Sequence, residues 1–238
     1  RLIYAGAGSS GLMAMADALE LPGTFGIAPD RVVILLAGGM KNLHDLAGGP
    51  EDDTDQAGRD IEAAVVGPDD CIIALSASGT TPYALAALRG AKASGAATIA
   101  IANNAPAPLL GEADIAIHLS TPPEIIAGST RMGAGTAQKI ALNMISTLTA
   151  IRLGHVHDGE MVNLKADNAK LRQRANRIVC AISKCTHEQA ERHLEAAEGS
   201  VKVAILLAAG APNSQQALDM LAASGQALRP ALQHLQQT

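Results

Sequence analysis

Along the first two-thirds of the chain, short unbroken apolar runs alternate with longer stretches in which apolar residues return every three or four positions. Five runs, at 2–5, 32–37, 71–75, 98–102 and 115–119, are almost continuous in Ala, Ile, Leu and Val. A strand with one wet face alternates polar and apolar residues. A strand covered on both faces need not, so these runs predict a parallel sheet with helices on either side. Between them, Thr81-Pro82 has the form of a helix start, with Thr81 as N-cap and Pro82 in the first helical position, and the helix runs to a stop at Gly95. A longer helix covers 135–153, with Ile140, Met144, Leu148 and Ile151 on one face and Gly154 at its end. Strand–helix alternation of this kind implies right-handed crossovers in a doubly wound sheet, with any ligand at the carboxyl ends of the strands.

Past about residue 157 the pattern changes to polar helical periodicity at 161–183, 187–197, 201–209, 214–223 and 227–236, with the run at 201–207 open between strand and helix. The expected division is an α/β domain over 1–159 and a helical region over 160–238.

Composition narrows the chemistry. Aromatics are limited to Tyr4, Phe25 and Tyr83, so the core is aliphatic. Lys and Arg total 18 against 23 Asp and Glu, a net charge of −5, with no basic run. Nucleic acid and anionic membranes are therefore disfavoured as partners, since both need clustered cations. Three cysteines, Cys71, Cys180 and Cys185, suit a reducing cytosol better than a disulfide framework. No segment has transmembrane length and no signal peptide is evident. The sequence opens at Arg1, directly before an apolar run, so further residues are expected upstream.

Three loops carry candidate chemistry. Gly6-Ala7-Gly8-Ser9-Ser10-Gly11 follows the first run and opens a helix, matching G-x-G-x-x-G. A dinucleotide site also wants an acid after the second strand, where this chain has Ala37-Gly38-Gly39, so no nicotinamide cofactor is expected. Gly8, Ser9 and Ser10 still offer close backbone approach and hydroxyl donors, although a plain strand–helix turn explains the motif equally well. Ser76-Ala77-Ser78-Gly79-Thr80-Thr81 places four hydroxyls and a glycine at a helix N-terminus. Capping needs one hydroxyl, so the rest favour an anion site without any Lys. Ser129, Thr130 and Arg131 precede the long helix. There Arg131 either grips an anion in bidentate fashion or is an ordinary surface Arg.

Two carboxylates stand out. Glu20 is expected at the end of the first helix, before Pro22, where the dipole disfavours its charge and apolar neighbours would raise its pKa, as a general acid requires. The plain alternative is an exposed last-turn glutamate. Glu51 lies in Pro50-Glu51-Asp52-Asp53-Thr54-Asp55, an acidic stretch ahead of a helix whose spacing fits no calcium loop. His155-Val156-His157-Asp158 reads as a solvated helix end, and no metal is expected.

Taken in order, the Gly6–Gly11 loop, Asp17-Ala18-Leu19-Glu20, Thr24-Phe25-Gly26, Gly49-Pro50-Glu51-Asp52, Ser76 to Tyr83, Gly128-Ser129-Thr130-Arg131-Met132, Ala134 to Lys139 and Leu142 to Thr147 resemble the N-acetylmuramic acid 6-phosphate etherases. The resemblance implies the three-layer αβα SIS fold, flavodoxin-like with five parallel strands, and a small helical tail similar to a ubiquitin-associated domain. It implies a cofactor-free cytosolic homodimer that acts on a sugar phosphate, releasing D-lactate from N-acetylmuramic acid 6-phosphate. Glu20 matches the family's proton donor to the departing ether oxygen. Glu51 matches the base at sugar C2, which later helps water add. The chain departs from the family at Leu12 and Thr80, where Arg is usual, at Gly133, where Lys is usual, and across 40–47. Two other readings stay open on the same fold, a phosphosugar aldose–ketose isomerase and a non-catalytic sugar-phosphate regulator.

Overall fold

The computed structural model of the chain describes residues 1–43, 48–164, 166 and 168–236. They gather into two compact units, one of 1–19 with 28–144, the other of 20–27 with 145–238. All five predicted runs are strands of the first unit: β1 (Leu2–Gly6), β2 (Val32–Leu36), β3 (Cys71–Ser76), β4 (Ala97–Ala102) and β5 (Ile115–His118). They form one parallel sheet in the order β2-β1-β3-β4-β5, with Gly6 level with Leu36 on one side and Leu75 on the other. That order reverses direction between β1 and β3, and a doubly wound sheet opens a crevice there, beyond the carboxyl ends of the two strands.

Helices α1 (Gly8–Ala18), α3 (Thr54–Ala63), α4 (Pro82–Ala93) and α5 (Pro108–Glu112) flank the sheet. On one side Ile3, Ala5 and Ile72 pack with Ala57, Ile61, Tyr83 and Ala87. The two tyrosines are fully buried, and each hydroxyl donates to a carboxylate, Tyr4 to Asp17 at 2.9 Å and Tyr83 to Asp60 at 2.6 Å. Buried hydroxyls need such partners. Burial first, and then the adjoining carboxylate, pushes both phenols far above their ordinary pKa. As expected, Pro82 opens α4 with Thr81 in the N-cap position, and Gly95 (φ +85°) follows its end.

The second unit contains α2 (Glu20–Phe25), a short antiparallel pair β6 (Val156–His157) and β7 (Glu160–Met161), and helices α7 (Ala169–Ser183), α8 (His187–Ala196), α9 (Val201–Ala208), α10 (Ser214–Ala223) and α11 (Leu228–Gln236). Polar caps set its helix starts: Asn168, Ser200 and Asn213 each accept an amide, and Thr186 forms a capping box with Gln189. The open run after residue 200 is helical because Ser200 caps it and neighbours cover it all round; Val201 to Leu206 are all buried. By contacts this unit starts at residue 145, earlier than the change in sequence character, and it takes in 20–27. The helix expected over 161–183 begins at Ala169, and Lys165 and Asp167 lie outside the described residues.

Helix α6 (Gly133–Arg152) is built the opposite way from its apolar pattern. Its buried face is Ala134, Gln138, Leu142, Ser146 and Ala150, while Ile140, Met144, Leu148 and Ile151 are each about half exposed. Among the described residues, no helix is long and apolar enough to cross a membrane.

Candidate active site

In the loop after β1 the glycines have separate tasks. A Cβ on Gly11 would stand 2.3 Å from Leu36 Cδ1 and 3.0 Å from the Gly6 carbonyl oxygen, so Gly6 and Gly11 allow α1 to press against the strand ends. Gly8 has φ +49°, a left-handed backbone that favours glycine, and a Cβ there would meet Glu51 Oε1 at 2.7 Å. The Glu51 carboxylate therefore rests directly over the loop. Ser9 and Ser10 occupy the first turn of α1, where no side chain caps the helix.

Several contacts bring Glu51 there. It sits in a 3₁₀ turn, Gly49–Asp52, whose Pro50 ring packs against Gly38 at the end of β2. Just beyond, Asp53 caps α3 by accepting the Gln56 amide at 2.7 Å. The Gln56 side chain accepts from the Gly38 amide at 3.0 Å and donates to the Leu36 carbonyl at 3.3 Å and to Asp60 at 3.2 Å. Gln56 thus ties α3 to the end of β2, and Tyr83 secures Asp60 from α4. Gln56 and Asp60 were not singled out in the sequence, and Tyr83 only as an aromatic and as the end of a family motif. A glutamine early in a helix carries no motif, and only the fold shows what it reaches. Of the divergent stretch before Glu51, residues 44–47 lie outside the described residues.

The loop after β3 is a hydroxyl cluster. Ser76, almost fully buried, is its hub: its Oγ is 2.8 Å from Thr81 Oγ1 and 3.2 Å from Ser78 Oγ, and accepts from the Gly79 amide at 3.0 Å. Ser78 in turn is 2.9 Å from Thr80 Oγ1 and accepts the Thr80 amide at 3.2 Å. Thr81 occupies the N-cap position of α4 without capping it through its hydroxyl, which points to Ser76 instead. Gly79 (φ +70°) has no room for a side chain, since a Cβ would fall 2.5 Å from that of Ala107. Exposed hydroxyls of Ser78 and Thr80 at the start of a twelve-residue helix form an arrangement suited to anions. Because Gly6 and Leu75 are level, this loop and the Gly8 loop leave adjacent strands side by side at the switch point.

The third loop differs from expectation. The first amides of α6, at Gly133 and Ala134, are taken by the carboxylate of Glu124, at 3.0 and 2.9 Å. These bonds, Ala134 first and then Gly133, hold the Glu124 carboxyl below its ordinary pKa. The helix start is thus occupied from within the chain, because a carboxylate nine residues upstream folds back onto it. Ser129 and Thr130 keep their hydroxyls, and Arg131 is exposed with no ion pair among the described residues. Asn103, at the end of β4, links this region to the Ser76 loop: its amide nitrogen donates to Ala77, and its side chain to Leu119 and Ala134. Gln138, with no exposed surface, donates to Asn103 Oδ1 at 2.9 Å.

Glu20 is corrected most. The helix from Gly8 ends at Ala18, and Glu20 is the first residue of α2, in the second unit. Pro22 is no stop: in a first helical turn its missing N–H removes nothing that the helix would have used. The carboxylate is at a helix start, where the dipole favours its charge, and it is exposed, so neither the dipole nor burial argument made from sequence applies. Phe25 and Leu21 anchor the buried side of α2. The His155-Val156-His157-Asp158 stretch forms β6 and its turn, and no group of three or more metal-ligating side chains gathers among the described residues.

Residues 54–148 match the SIS domain family, and residues 1–92 match the N-terminal SIS domain of the glucokinase regulatory protein. Relatives cover nearly the whole chain. An N-acetylmuramic acid 6-phosphate etherase of Deinococcus radiodurans is 45% identical over 225 residues, 94% of this chain and 74% of that protein. That of Erwinia tasmaniensis is 46% identical over 238 residues, 100% of this chain and 78% of that protein. The enzyme of Mycolicibacterium smegmatis is 43% identical over 232 residues, 98% and 78% respectively. With identity at this level over nearly its full length, and with the switch-point loops built as described, the chain belongs to the N-acetylmuramic acid 6-phosphate etherase family.

Proposed function

We propose that the protein is a carbon–oxygen lyase that cleaves the D-lactyl ether of N-acetylmuramic acid 6-phosphate, giving N-acetylglucosamine 6-phosphate and D-lactate. The observation that carries this reading is the Glu51 carboxylate seated over Gly8 at the switch point, beside the hydroxyl cluster of Ser76, Ser78, Thr80 and Thr81. In the ring-opened sugar the C2 proton is acidified by the C1 carbonyl. Glu51 takes that proton, the C3–O bond breaks, and Glu20 gives a proton to the departing lactyl oxygen. Water then adds across the new double bond: the Glu20 carboxylate takes a proton from the water that attacks C3, and Glu51, after exchange with solvent, delivers one to C2, so both groups end as they began. Each such group typically contributes about 10²–10⁴-fold to the rate.

The phosphate belongs to Ser78, Gly79, Thr80 and Thr81, with Ser76 fixing the loop, and the Gly8, Ser9 and Ser10 segment faces the sugar. Ser129, Thr130 and Arg131 provide further polar contacts. Phosphate binding at a distance from C2 orients the reacting carbon, converting binding into correct positioning. No cofactor enters the reaction.

We also infer a cytosolic homodimer. The row Ile140, Met144, Leu148 and Ile151 on α6 supports the second copy: its spacing is that of a helix seam, and these residues are too exposed for a face covered by its own chain. Lactate release from N-acetylmuramic acid 6-phosphate tests the assignment. Turnover lost in Glu51→Gln, with folding intact, is expected; full activity in that variant refutes the role of Glu51.

A further inference from the structure

Helix α2, which begins at Glu20, has only six residues. A helix so short cannot fix its own direction, so its position comes from what holds it: the buried side chains of Leu21 and Phe25, and the contacts at its far end. That end is unusually well held. The Asn163 side-chain amide donates to the Phe25 carbonyl at 3.0 Å, and the ring of His155 also bonds to the Phe25 backbone. His155 Nδ1 is buried without a partner, so the ring proton shared with Phe25 lies on Nε2. A carbonyl oxygen has two lone pairs and can accept both donors. The next residue, Gly26 (φ +64°), lies so close to Asn163 that a Cβ would be 2.1 Å from the Asn163 carbonyl oxygen and 2.8 Å from its Nδ2. At the other end, the Glu20 side chain makes no hydrogen bond or ion pair among the described residues. The Glu20 carboxyl is therefore directed by the backbone of α2 and not by a side-chain partner of its own.

We propose that Asn163 is a positioning residue for the proton donor: by holding the Phe25 carbonyl it sets α2, and through α2 the carboxyl of Glu20. The helical unit thus has a part in the reaction. His155 is the second donor of the same clamp, and Gly26 is glycine because the clamp closes against it. This inference rests on the role proposed for Glu20.

The test is a double-mutant cycle on the full chain, with N-acetylmuramic acid 6-phosphate as substrate and D-lactate as readout. Asn163→Leu keeps the shape and removes the donor. Asn163→Ser keeps a small polar side chain too short to reach the carbonyl, and serves if the first variant does not fold. A misplacement of about 1 Å costs up to about 10²-fold. The expected result is a kcat lower by about 10–100-fold with KM unchanged, and partial recovery in Asn163→Gln, which retains a donor. In a Glu20→Gln background the same substitutions should cost nothing further, because they act through a group already removed. Normal turnover, an effect confined to KM, or a full additional loss in the Glu20→Gln background overturns the role of Asn163 and leaves that of Glu20 standing. Full activity of Glu20→Gln alone overturns the role of Glu20, and the clamp's purpose with it.

Discussion

Replacing Gly8 by Ala would test the contact on which the proposed chemistry depends. The residue has φ +49°, and an L side chain in that left-handed conformation costs about 1–2 kcal/mol. For a chain of this size each 1 kcal/mol lowers Tm by about 2–4 °C. The added Cβ would also meet Glu51 Oε1 at 2.7 Å, whereas ordinary contact begins at 3.4 Å. The carboxylate would have to retreat by the difference, about 0.7 Å, and a displacement approaching 1 Å costs up to about 10²-fold in rate. Gly95→Ala separates the two effects. Gly95 has φ +85° and follows α4 at the opposite, amino ends of the strands, just before β4, but its added Cβ would find only ordinary contact with Pro68 at 3.4 Å. Both variants should melt lower by similar amounts in a thermal unfolding scan. Only Gly8→Ala should lose kcat in a lactate-release assay, by roughly 10–100-fold. Wild-type turnover in Gly8→Ala, or equal loss in both variants, would refute the placement of Glu51 over the loop in the working enzyme.

Ser76→Ala removes the hub of the hydroxyl cluster, at a cost to folding of about 1 kcal/mol, and should raise KM more than it lowers kcat; steady-state kinetics checks this. Leu148→Glu puts a charge in the exposed apolar row of α6 and should convert a dimer to monomers in light scattering, whereas a wild-type chain already monomeric at micromolar concentration would contradict the interface. His155 and His157 both sit below the ordinary value of 6.5, pushed down first by burial. Lys202 lowers His155 further against the Phe25 bond, and Arg229 lowers His157 against Asp158. The unfolded chain therefore binds protons first as pH falls, so stability present above pH 6.5 is lost below it. Denaturant melts at pH 7.5 and 5.5 should show a lower midpoint in acid, reduced in size by His155→Gln.

Local signals explain which parts could be read from sequence. The strands were legible because five continuous apolar runs match a sheet buried on both faces. The limits of α4 were legible because Pro82 in its first position and Gly95 past its end are punctuation with a physical cause, although the Thr81 hydroxyl turns to Ser76 and does not cap. The Ser76 loop was legible through its density of hydroxyls. Glu20 was misplaced because Pro22 looks like a helix stop, although the same residue is harmless in a first turn, and one turn residue, Leu19, separates two helices. The α6 row was legible as a stripe but not as an uncovered one. Periodicity shows that a face wants cover and is silent on which chain supplies it. Glu124 on the start of α6, Gln56 on the end of β2 and Asn163 on Phe25 are pairings between distant residues of ordinary type, and only three-dimensional proximity reveals them.

The most direct measurement is turnover of N-acetylmuramic acid 6-phosphate in D₂O, following D-lactate and the isotope content of the sugar product together. Removal of the C2 proton by Glu51 predicts one lactate per product molecule and deuterium at C2, with both signals absent in Glu51→Gln. Lactate released without deuterium at C2, or both signals persisting in that variant, would contradict the elimination and the part given to Glu51 in it.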